Sequence, residues 1–72
     1  MHPDLKAILR ERGLTQRAVA EALQVSDATV SFWSAALREG NHRRVPAEQA
    51  RALADLLDME PSVIRPDLWR PA

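Results

Sequence analysis

The ionisable side chains of this 72-residue chain are ten Lys or Arg, ten Asp or Glu and two His, and they are not grouped as catalysis requires. His2 and His42 lie far apart with no second ligand beside either, so no metal site is expected. The chain has no cysteine, which removes disulfides and cysteine-based zinc sites and points to a reducing compartment. No grouping of serine, histidine and acid suggests a nucleophile, and Gly13 and Gly40, the only glycines, cannot build a phosphate-cradling loop. Neither an enzyme nor a cofactor is expected. What remains is the basic run His42-Arg43-Arg44, preceded by Arg17 and Arg38. Guanidinium groups of this kind suit phosphate, although a short basic run is also what an ordinary solvated loop looks like.

Formal net charge is zero, which is unusual for a partner of a polyanion. The average conceals an asymmetry: residues 1–45 carry a net +2 and residues 46–72 a net −2. That difference alone identifies nothing. A domain of this size buries only about 60% of the surface of its unfolded chain, so association with a second copy is a natural supplement to stability. No signal peptide and no membrane span are expected, and the expected location is the cytoplasm.

Apolar spacing predicts helices along most of the chain. A first helix is expected over 4–12, with Leu5, Ile8 and Leu9 inward, and a second after Thr15, with Val19, Ala20 and Leu23 inward. A three-residue turn, Gln24-Val25-Ser26, leads to a third helix reaching as far as Glu39, with Val30, Trp33 and Leu37 inward. After a polar loop over 40–44, a fourth helix starts near Pro46 with Ala50, Leu53, Ala54 and Leu57 inward, and a short fifth starts at Pro61. Gly13 and Gly40 each follow a helical stretch, where left-handed caps belong.

Two of these starts share one device. Leu14, Thr15 and Val19 stand in the same relation as Val25, Ser26 and Val30: an apolar residue, an N-cap, then an apolar residue four positions after the cap. This is the hydrophobic staple. Its repetition fixes two helix entries across a turn too short for a comfortable antiparallel pair, so the helices are expected to cross steeply.

Residues 14–33, LTQRAVAEALQVSDATVSFW, resemble the Cro/CI-type helix-turn-helix family of phage and bacterial repressors. Val19, Leu23, Val25, Val30 and Trp33 stand at its buried apolar positions, and Ala20 at the small position where the two helices touch. Gln24 departs from the glycine usual in the turn; at positive φ it costs on the order of 1 kcal/mol. The tail VIRPDLW, residues 63–69, is similar to the ending of YdaS-like antitoxin/repressor proteins. The twelve residues between Trp33 and Pro46 exceed the family's usual length, and are expected to lengthen the third helix by about a turn and enlarge the loop.

The resemblance implies an all-α, compact five-helix lambda-repressor-like domain, a single domain over 1–72 with a packing or dimer segment at 61–72. It also implies that the third helix lies in the major groove of duplex DNA. Asp27, Ala28, Ser31 and Phe32 are then the candidate base contacts: Asp27 for a cytosine amino group, Ser31 for several base edges, Ala28 and Phe32 for thymine methyls. The outward set, completed by Ala35, contains no Arg, Asn or Gln for bidentate reading, so DNA shape should contribute to sequence preference. Gln16, Arg17, Arg38, His42, Arg43 and Arg44 are the candidate phosphate contacts.

Plainer roles compete with several of these. Arg17 can pair with Glu21, and Asp27 suits a helix N-terminus whatever it touches. Phe32 can meet DNA, pack on the longer segment, or face a partner. Val63, Leu68 and Trp69 are candidates for a dimer interface, the last two equally for core packing. The function expected is a homodimeric, autoregulating repressor of a phage, toxin–antitoxin or anti-defence operon, bound to an inverted-repeat operator and nucleoid-associated when bound. The alternative is an antitoxin-like module that neutralises a partner toxin directly. A DNA-compacting role is disfavoured by the neutral charge.

Overall fold

Three N-caps set the first three helices. In the computed structural model, which describes residues 2–69, Asp4 accepts a hydrogen bond from the Ala7 amide (3.4 Å), Thr15 from Ala18 (3.0 Å) and Ser26 from Thr29 (3.1 Å). Each cap satisfies one amide that the first turn leaves without a helical partner. The helices that follow are α1 (Leu5–Glu11), α2 (Gln16–Leu23) and α3 (Asp27–Arg38). A 3-10 turn at His42–Arg44 leads to α4 (Ala47–Leu56) and α5 (Pro61–Ile64), and the described residues contain no strand.

The four longer helices all end in the same way. Gly13, Gln24, Gly40 and Asp58 adopt positive φ of 69°, 58°, 82° and 54°. The next amide then reaches back to the carbonyl five residues earlier: Leu14 to Leu9 (2.9 Å), Val25 to Ala20 (2.9 Å), Asn41 to Ala36 (2.8 Å) and Met59 to Ala54 (2.9 Å). These are Schellman caps. Gln24 takes the left-handed conformation that its place in the turn raised as a question. Asp58 does the same with no glycine to signal it.

One hydrophobic cluster holds the fold together. It joins Leu5 and Leu9 of α1, Val19 and Ala20 of α2, Val30, Trp33 and Leu37 of α3, and Ala50, Leu53 and Ala54 of α4. Val45, Leu57 and Ile64 complete it from the connections and α5. Burying one such Leu, Ile or Val side chain is worth roughly 1.5–3 kcal/mol. Helix α2 packs on α3 and α4, α1 packs on α3, and α5 packs on α4. Arg12 also donates from Nε to the Leu57 carbonyl, joining the end of α1 to the end of α4.

Some sequence expectations need adjustment. Helix α3 stops at Arg38 with Glu39 as its cap, and the polar segment after Gly40 contains a 3-10 turn rather than open loop. Pro46 caps α4 instead of lying in its first turn. Ile8, Leu23 and Val25 are only partly buried against the core. The covered face of α3 is wider than the stripe Val30, Trp33 and Leu37, because α1, α2 and the 3-10 turn all pack on this helix. Ser34 and Ala36 are therefore buried too, and the Ser34 hydroxyl has no hydrogen-bond partner among the described residues.

Candidate nucleic-acid interface

Helix α3 turns one face to solvent from its first residue to Ala35. Asp27, Ala28, Ser31, Phe32 and Ala35 are all exposed, Phe32 to 47% of its surface. The face is built locally. Ser26 caps the helix, its hydroxyl also bonded to that of Thr29 (2.9 Å), and Val30 and Trp33 anchor the opposite side in the core.

Helix α2 braces this face. Gln16, its first residue, accepts a hydrogen bond at Oε1 from the Ser31 hydroxyl (2.9 Å). A candidate phosphate contact and a candidate base contact are thus joined directly. Arg17, next along, lies 3.4 Å through Nε from the Glu21 carboxylate, with both side chains more than 70% exposed. An exposed pair of this kind stabilises little and is easily exchanged for another anion.

The basic residues of the 3-10 turn divide into two groups. His42 and Arg43 face a single carboxylate, that of Asp67, at 3.5 Å and 3.9 Å. Arg44 turns the other way, its guanidinium carbon 5.7 Å from the centre of the Phe32 ring. This is a cation–π arrangement between the turn and α3. Arg38, at the end of α3, is exposed and has no ion pair among the described residues.

Asp67 belongs to a clasp that the sequence reading missed. Arg65, only 9% exposed, donates from Nε (2.9 Å) and Nη2 (2.7 Å) to the two Asp67 oxygens, and from Nη1 to the Val45 carbonyl (2.7 Å). The fork-on-carboxylate geometry is the strong form of this pair. The Arg65 hydrogen bonds pull the Asp67 pKa down from 3.8 to about 2, against a smaller opposing effect of burial. The same bond holds Arg65 above its ordinary value. The signal was present as two opposite charges flanking Pro66 in an otherwise apolar tail, but nothing local says what they clasp.

Of the candidate dimer residues, Val63 and Leu68 are exposed (42% and 49%), whereas Trp69 is partly buried against the core. No helix among the described residues is long and apolar enough to cross a membrane.

No curated protein and no solved structure is significantly similar to this chain. The helix-turn-helix family model HTH_3 matches residues 5–64, a stretch that runs from the first residue of α1 to the last of α5. With well over half of its length matched, and the outward face of α3 open to solvent, the chain belongs to this Cro/CI-type helix-turn-helix family of DNA-binding transcription regulators.

Proposed function

We propose that the chain is a sequence-specific repressor that binds a short inverted-repeat operator as a homodimer and regulates its own small operon. The observation that carries this reading is the exposed face of α3, braced by the Gln16–Ser31 bond and flanked by unmasked cations at Arg38 and Arg44. Asp27, Ala28, Ser31 and Phe32 meet base edges. Gln16, Arg17, Arg38 and Arg43 take phosphates, with His42 beside them. Regulators of this type act in the cytoplasm, on the nucleoid.

Size supports the dimer. The longest dimension is 29 Å, shorter than the roughly 34 Å between successive major-groove faces, so one copy covers one half-site. Val63 and Leu68, both exposed in the C-terminal segment, are the surface we assign to the second copy. Membership of a YdaS-like branch, and with it a phage, toxin–antitoxin or anti-defence setting, rests on residues 63–69 alone.

The same exposed pair supports the second reading, capture of a toxin-like protein. Removing residues 62–72 does not separate the two, because it takes away buried Ile64 and the Arg65 clasp. The point variants Val63→Asp and Leu68→Asp are the better tools.

The decisive experiment is a gel shift of the purified protein on its own upstream region, with salt varied and mass measured by sedimentation. A salt-dependent shift at dimer stoichiometry, lost in Leu68→Asp, supports the proposal. Binding that ignores salt, or that random DNA matches, overturns it.

A further inference from the structure

Helix α3 exposes no side chain able to make the strongest base contact, a bidentate pair with guanine, until Arg38 at its far end. The fold brings one in from elsewhere. We infer that Arg44, held against Phe32, reads a guanine in the major groove while Phe32 meets the methyl of an adjacent thymine, so that the two side chains together specify a thymine–guanine step. This rests on the reading of the chain as a sequence-specific DNA binder.

Three observations separate Arg44 from its neighbours. First, Asp67 engages His42 and Arg43, whereas Arg44 has no carboxylate partner among the described residues, although Glu39 lines the same recess. Second, the Arg44 guanidinium carbon lies over the Phe32 ring, 5.7 Å from its centre, an attraction that holds the cation beside α3 without a hydrogen-bond acceptor. A phosphate needs only charge; a guanine needs a fork held in one plane. Third, the backbone carrying Arg44 is fixed on both sides. Its amide donates to the Asn41 carbonyl (3.1 Å), and the following residue, Val45, is buried with its carbonyl bonded to Arg65. A contact that must select one base needs this pre-organisation.

Phe32 is half exposed, so much of its surface remains available for a methyl group while Arg44 covers part of it.

The test is selection of bound sequences from a random duplex pool by the full-length chain and its variants Arg44→Lys, Arg44→Ala and Phe32→Ala, with folding checked by melting. The wild type should enrich thymine–guanine at one fixed place in each half-site. Arg44→Ala should lose roughly tenfold of the guanine preference at that place only, whereas Arg44→Lys keeps the charge and should keep the salt slope. Phe32→Ala should lose the thymine preference. Deoxyuridine in place of that thymine should weaken the wild type severalfold and leave Phe32→Ala unaffected. If Arg44→Ala retains the guanine preference, or weakens all sequences equally, Arg44 does not read the base and the inference fails while DNA recognition stands. If the wild type enriches no sequence at all, both readings fall together.

Discussion

The Ser31 hydroxyl donates to Oε1 of Gln16 across 2.9 Å, so the only proton of Ser31 is already committed before DNA arrives. What Ser31 offers outward is a lone pair, suited to the amino groups of cytosine or adenine. Gln16 in turn keeps its amide donors for a phosphate. Ser31→Ala should therefore lower the ratio of operator to random-DNA affinity by about fivefold, the loss of one hydrogen bond, with stability changed by less than about 0.5 kcal/mol. Competition binding and a thermal melt check both halves.

Arg43 is a different kind of contact. Exposed and only loosely paired with Asp67 at 3.9 Å, it has charge to offer but no fixed geometry. Arg43→Ala should weaken binding to every sequence alike and reduce the salt slope by about one. A change confined to the operator would contradict that role.

Acid should open the clasp. Because Arg65 lowers the Asp67 pKa from 3.8 to about 2, the pair contributes its full stability above pH about 4 and loses it as pH falls through about 2. Melting temperature of Asp67→Asn should lie below wild type at neutral pH, and the two curves should converge over that acid range. Curves that stay parallel down to pH about 2 would refute the assignment.

Ser34 buries a hydroxyl that finds no partner among the described residues. Ser34→Ala removes the unsatisfied group and improves helix propensity, so it should stabilise by about 1 kcal/mol, a rise in melting temperature of about 4–8 °C for a chain of this size. DNA affinity should not change, because the side chain faces inward.

Gln24 occupies φ 58° at the turn between α2 and α3. Gln24→Gly relieves the steric cost of that conformation and adds backbone entropy to the unfolded chain, so the net gain should stay below about 1 kcal/mol. A β-branched Gln24→Val should destabilise clearly. Chemical denaturation of both variants gives the comparison.

Local rules made the scaffold legible. Thr15 and Ser26 each stand between two apolar residues at the staple spacing, and Gly13 and Gly40 each follow a helical stretch, so caps could be read from a few neighbouring letters. The cap at Asp58 was not legible, since a non-glycine residue gives no warning of positive φ. Residues that meet only through tertiary structure left still less trace. Phe32 and Arg44, or Arg65 and the Val45 carbonyl, come from different elements, and no periodicity links a helix to a turn or to a tail. The candidate residues could be named from the chain, but their partners could not. That is why Arg43 and Arg44, adjacent and chemically identical, are separable only once Asp67 and Phe32 are in place.

Helix α2 ends on the single left-handed residue Gln24 and only three residues separate α2 from α3, so an insertion in that turn has nowhere to be absorbed. A lineage carrying this scaffold can acquire a new target by exchanging side chains at the outward positions of one helix and the 3-10 turn beside it. Transplanting those few positions between relatives should carry operator preference with them, whereas lengthening the turn between α2 and α3 should cost the protein its shape.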